Sequence, residues 1–134
     1  MNWLVITTLP HFLTLLVSPT PFYSLIVFSS SSLSVLWHFK NEGANSTLGI
    51  LDHLLAGLWF VADFYYFTFT SNFALMFAAN SFVFLLNLLV SKLDRLNIIP
   101  YSIGHSVWHI VSSAKSVILA YILLKTSRPQ TEIA

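Results

Sequence analysis

PYSIGHSVWHIVSSAKSVILAYILL, residues 100–124, has the length and apolar character of a membrane-spanning helix, yet it carries two histidines, His105 and His109. About 20 mostly apolar residues, rising 1.5 Å each, cross a hydrocarbon core of roughly 30 Å, and Pro100 suits the first turn of such a helix. Imidazole nitrogens are costly in hydrocarbon, so histidines at helical spacing within a span mark a functional site. Residues i and i+4 share a helix face with Cβ atoms about 6 Å apart, so one helix can offer both rings to a single ion. The same spacing recurs in Ser34 and His38 of SVLWH, again with a tryptophan directly before the histidine, and Asp52 opens the next apolar run.

The rest of the chain is of the same kind. Hydrophobic residues make up 56% of its 134 positions and charged residues 8%. Soluble domains carry about 25% charged residues, so this chain has too little charge to cover a water-facing globule. The bilayer is its solvent, and a multi-pass integral membrane protein is expected. Net charge is +1 without a Lys/Arg run, which excludes nucleic acid as a partner. Cysteine is absent, which removes disulfides, thiolate ligands, iron–sulfur clusters and Cys nucleophiles. A tightly held transition metal must therefore use imidazole and carboxylate.

Hydropathy places five helices in a single all-α membrane bundle over residues 1–134, at about 3–17, 22–39, 48–69, 73–90 and 100–124. The first is short and interrupted by Pro10 and His11. It lacks the cationic leader of a signal peptide and is expected to span or re-enter the membrane. Ser18-Pro19-Thr20-Pro21 breaks the chain before the second helix. The polar stretch Lys40–Thr47, the turn Thr70-Ser71-Asn72 and the segment Ser91–Arg95 separate the later helices, and a polar tail begins at Lys125. Small hydroxyl residues, Ser29 to Ser32, lie within the second helix, where they permit close backbone approach.

Counting crossings sharpens the picture. Let the second helix end on side X. His38 lies in its last turn, and Asp52 lies early in the third helix, also near side X. The third helix crosses away and the fourth returns, so the fifth begins on side X. His105 and His109 then lie roughly 8 and 14 Å below Pro100. Ser34, His38, Asp52, His105 and His109 therefore fall at similar depth near one face.

Three imidazoles that leave a fourth position to water form the catalytic zinc pattern, with the pKa of that water lowered to about 7. Asp52 would serve as general base or orient a ligand histidine, and Ser34 would donate to an oxyanion. The chemistry implied is hydrolysis of a lipid ester or amide. Structural alternatives stand beside each role: interhelical hydrogen bonds for the histidines, the i−4 carbonyl for Ser34, and the helix dipole for Asp52. His53 points about 100° away from Asp52 and is expected at the interface. His11 has no partner at matching spacing. Asp63 and Lys115 both fall near mid-bilayer, where pairing lowers the cost of each, and a structural ion pair is expected. Trp37 and Trp108 are expected to wall the site.

Ser34-x-x-x-His38, an aspartate at the head of the next helix, and His105-x-x-x-His109 in the last helix together resemble the CREST superfamily of membrane metallohydrolases. That group includes the alkaline ceramidases, the progestin and adipoQ receptors and GPI-lipid remodelling proteins. YSIGHSVWHI, residues 101–110, is most similar to the branch containing a GPI-anchor-specific phospholipase A2. The resemblance covers about residues 30 to 124. It implies that His38, His105 and His109 bind zinc and that Ser34 and Asp52 act at the zinc-bound water. Members have seven helices, whereas five are read here. Losing a pair keeps the last helix on the same side but removes walls of the lipid cavity, which association of copies would replace. The leading expectation is thus a zinc-dependent lipid hydrolase. The runner-up is a non-enzymatic membrane protein that keeps the metal for stability. Haem needs histidines on opposite faces of its plane, which the i, i+4 pair does not supply. Lys40, Lys92 and Arg95 on side X against Lys125 and Arg128 opposite lean toward a cytoplasmic side X, whereas Asn45-Ser46-Thr47 is a glycosylation sequon usable only on a lumenal side.

Overall fold

The structure, a computed structural model, describes residues 2–40, 46–68 and 70–127. The connection 41–45, with Asn45 of the sequon, and the tail 128–134 with Arg128 lie outside the described residues. Among the described residues the architecture is all-helical. It comprises α1 (Trp3–Thr8), a 3-10 segment (Leu9–Val17), α2 (Pro21–Lys40), α3 (Thr47–Phe67), α4 (Phe73–Arg95) and α5 (Tyr101–Ser127). The helices α2 to α5 are long and apolar enough to cross a membrane, and the Trp3–Val17 stretch is a shorter apolar one.

The first stretch is not the single α-helix expected over residues 3–17. Asn2 caps α1, its Oδ1 accepting the Leu4 N–H at 3.1 Å. Pro10 then removes an amide donor, and the chain continues as a 3-10 helix. A 3-10 helix rises about 2.0 Å per residue, so Trp3–Val17 reaches about 27 Å, close to the thickness of the hydrocarbon core. Residues three apart eclipse in such a helix, which puts Thr8, His11 and Thr14 on one inward face, and all three are buried.

Later boundaries follow local chemistry. Thr20 Oγ1 accepts the Tyr23 N–H at 3.1 Å, with Pro21 in the first position of α2. Ser46 Oγ caps α3 by accepting the Gly49 N–H at 3.1 Å. The fourth helix runs past the expected Val90 to Arg95, because Ser91–Arg95 contains no breaker and Lys92 and Arg95 complement the helix C-terminus. It stops where Asn97 turns left-handed at φ 55°. There Asn97 N–H donates to the Asp94 carbonyl at 2.8 Å and Ile98 N–H to the Leu93 carbonyl at 2.9 Å, a Schellman closure. Pro100 precedes α5 rather than entering it, its carbonyl accepting the Gly104 N–H at 3.2 Å, and α5 continues beyond the expected Leu124 to Ser127.

The helices form a ring. α2 packs on α3 and α4 on α5, while α1 and the 3-10 segment wedge between α2 and α5 and close the circle. The pair α3–α4 meets more sparsely, with Phe64 against Phe73 and Phe77 near the connecting turn. The outer surface is apolar, with Leu16, Phe39 and Tyr65 at 80%, 74% and 70% exposure, as lipid contact requires. The interior is unusually polar: among the described residues fourteen buried side chains are polar or charged and fourteen apolar. The apolar part, Tyr23, Ile26, Val27, Trp59, Ala62 and Ala120 with Phe67, Met76, Leu119 and Leu123 beside it, fills the end of the ring remote from His38.

The expected ion pair is present and more elaborate than a pair. Lys115 Nζ lies 2.8 Å from Asp63 Oδ2, with Asp63 fully buried. Tyr23 donates its hydroxyl to Asp63 Oδ1 at 2.6 Å and in turn accepts the Trp59 indole N–H at 3.0 Å. Lys115 also donates to Asn80 Oδ1 at 2.9 Å. Four helices are thereby tied together.

Close approach of α4 and α5 depends on Gly104. A Cβ there would lie 2.9 Å from Ile99 Cδ1 and 3.1 Å from Val90 Cβ, whereas at Gly57 it would meet nothing within 4 Å. Ile99 can swing aside, but Val90 Cβ is fixed to its helix backbone. Gly104→Ala is therefore expected to destabilise by about 1 kcal/mol, overpacking outweighing the gain in helix propensity, while Gly57→Ala is neutral or mildly stabilising. Thermal unfolding in detergent micelles checks the opposite signs.

Candidate metal centre

The crossing count is realised in space. His38, near the end of α2, meets His105 and His109 in the first turns of α5, and one ring nitrogen from each lies within 4.8 Å of the others. His38 and His109 are buried and His105 is half-buried. His38 Nε2 stands 3.0 Å from His109 Nε2. Ligand nitrogens on a tetrahedral zinc, each about 2.0–2.1 Å from the ion, sit about 3.3 Å apart, so small ring movements would bring these donors onto one ion. A cluster of three imidazoles, two of them buried, without thiolate suits a borderline cation such as zinc. These three side chains could hold a metal ion.

Aromatic rings fix the cluster. Trp37 lies against His38 at 4.5 Å between ring centres, and Trp108 stacks on His105 at 5.2 Å, so both tryptophans wall the histidines as expected. Tyr101, one turn earlier on the same face of α5, stacks on the His105 ring with centres 4.7 Å apart. Asn2, from the start of the chain, donates its amide N–H to the His38 carbonyl at 2.5 Å while its Oδ1 caps α1. The N-terminal segment is thus tied to the turn that carries His38.

Ser34 of α2 and Asp52 of α3 lie close enough to interact across the two helices. Both line one cavity of about 510 Å³ that also reaches His105 and His109. His53 is exposed as expected, its Nδ1 within 2.6 Å of the Gly49 carbonyl, and it sits on the cavity rim. Phe60 of α3 and Phe84 of α4 line the same cavity while being 40% and 55% exposed, so its mouth lies between these sparsely packed helices, on the lipid-facing surface.

His11 is the residue that spacing did not find. It is buried at 6% exposure, borders the cavity and lies edge-on to His109 with ring centres 5.7 Å apart. A usable signal was present in the sequence: Thr8, His11 and Thr14 recur every third residue around Pro10. That is the period of a 3-10 helix rather than of an α-helix.

Comparison with known protein families, with curated proteins and with solved structures returns no match.

Proposed function

We propose that this chain is a membrane-embedded, zinc-dependent hydrolase of lipid esters or amides, built on the ligand pattern of the CREST superfamily. The observation that carries the proposal is the cavity. Structural metal sites are closed, whereas catalytic ones keep an open position. Here the histidine cluster borders a space of about 510 Å³ shared with Asp52 and Ser34. This volume falls within the about 300–1,000 Å³ range of small-molecule sites. Its mouth between α3 and α4 faces lipid, as a bilayer substrate requires.

His38, His105 and His109 would hold the ion. Zinc bound there supplies Lewis acidity and lowers the pKa of water toward neutrality. Asp52 acts as the proton acceptor beside the cavity. Ser34, on the cavity wall beside Asp52, donates to the oxyanion as the carbonyl is attacked.

The test compares wild type with Asp52→Asn and Ser34→Ala in purified, zinc-loaded protein. Both variants should keep their zinc. Asp52→Asn should lose about 10²–10⁴-fold in turnover of a lipid ester or amide, the range for a general base, and Ser34→Ala less. Wild-type turnover in both variants would remove these residues from the mechanism. Bound zinc without turnover of any ester or amide lipid would instead favour the non-enzymatic alternative, in which the metal serves stability.

A further inference from the structure

We infer that His11 is a positioning residue for the metal centre, holding the His109 ring through one water shared between the two Nδ1 atoms. The inference rests on the proposed metal site and assigns it a support that comes from outside the three motif segments. His109 directs Nε2 at His38, 3.0 Å away, which leaves its Nδ1 as the outward nitrogen of a ligand ring. A metal-bound imidazole almost always gives that second N–H to an acceptor, which fixes its tautomer and orientation. His109 Nδ1 is buried with no hydrogen-bond partner among the described residues, and so is His11 Nδ1. Two such orphaned nitrogens on adjacent buried rings are costly unless they share a partner.

The rings stand edge-on at 81° with centres 5.7 Å apart. A single water bridges partners about 5 Å apart through two ordinary hydrogen bonds. With Nε2 of His109 as the ligand atom, its Nδ1 carries the proton and donates, and Nδ1 of His11 accepts. The His11 ring is itself held from behind by Trp59, edge-on at 5.5 Å. Its inward aim follows from the 3-10 register that stacks Thr8, His11 and Thr14, so the wedge between α2 and α5 both closes the ring and orients a ligand.

Cobalt(II) titration of the 134-residue chain tests this, reading the dissociation constant and the visible ligand-field bands. His11→Phe keeps a ring against Trp59 and removes the acceptor, and His11→Ala removes both. His11→Asn places an amide oxygen near the position of Nδ1. The acceptor-free variants should bind cobalt about 10–100-fold more weakly, with altered bands, and His11→Asn should stay near wild type in both readouts. A purely packing role would rank Phe above Asn. Cobalt binding by either acceptor-free variant that matches wild type overturns the inference, as does an Asn variant no better than Phe. Wild-type protein that takes up no cobalt is a different result, which overturns the metal site itself. Having two acceptor-free variants keeps a folding failure of one from deciding the matter.

Discussion

Purified protein should carry about one zinc ion per chain, and His109→Ala or His105→Ala should lower its zinc affinity by more than about 100-fold. The size of the effect follows from the cluster. Three imidazoles form the donor cluster among the described residues, so removing one leaves two nitrogens, short of the three that open zinc sites use. The loss exceeds the about 10–100-fold typical of outer partners such as the one assigned to His11. Stability should report the same event. An ion present at about 1,000 times its dissociation constant stabilises the folded state by about 4 kcal/mol, so zinc should raise the wild-type unfolding temperature and a chelator should lower it. Neither should move the unfolding temperature of His109→Ala. Elemental analysis beside thermal unfolding in micelles gives the answer, and stoichiometric zinc retained by both alanine variants would sink the assignment.

The second large effect is on folding. Asp63→Asn or Lys115→Met should each destabilise by about 3–5 kcal/mol, because either leaves one buried charge without its counter-ion. Asp63 is fully buried, and the Lys115 side chain is 11% exposed. Against a total stability of about 5–15 kcal/mol, one such change removes a large part of the margin. The double variant should lose much less than the two single effects added together, since no lone charge then remains. It should not return fully to wild type, because Tyr23 and Asn80 also bond the pair and would lose a charged partner. Denaturant titration of the two singles and the double checks the coupling, and single effects that simply add would show that the pair does not act as one unit.

Legibility varied with the range of the interaction concerned. The spans are hydropathy summed over about 20 residues, a local property, and all four long helices stand where apolar runs place them. Crossing parity is equally robust, and it put His38 level with His105 and His109 before any contact was known. Asp63 with Lys115 was also readable, since opposite charges at one depth in hydrocarbon have few other partners. Helix ends were less so. The fourth helix passed Val90 because charge at its C-terminus is compatible with helix, and it stopped only where Asn97 could adopt a left-handed turn. His11 is invisible to the α-helical period because Pro10 steers its stretch into a 3-10 helix.

What the sequence determined by itself is the all-helical class, the order of its long helices, and the end of the bundle at which His38, His105 and His109 lie, all of which depend on the chemistry of consecutive residues. Only the tertiary structure decided what those residues do to one another. It put the N-terminal segment between α2 and α5, brought Ser34 and Asp52 to one cavity, placed His11 beside His109, and opened that cavity between α3 and α4. The physical reason is that membrane burial fixes where a polar side chain sits along the bilayer normal, while packing around the ring fixes which neighbour it faces. Hydropathy encodes the first and is silent on the second.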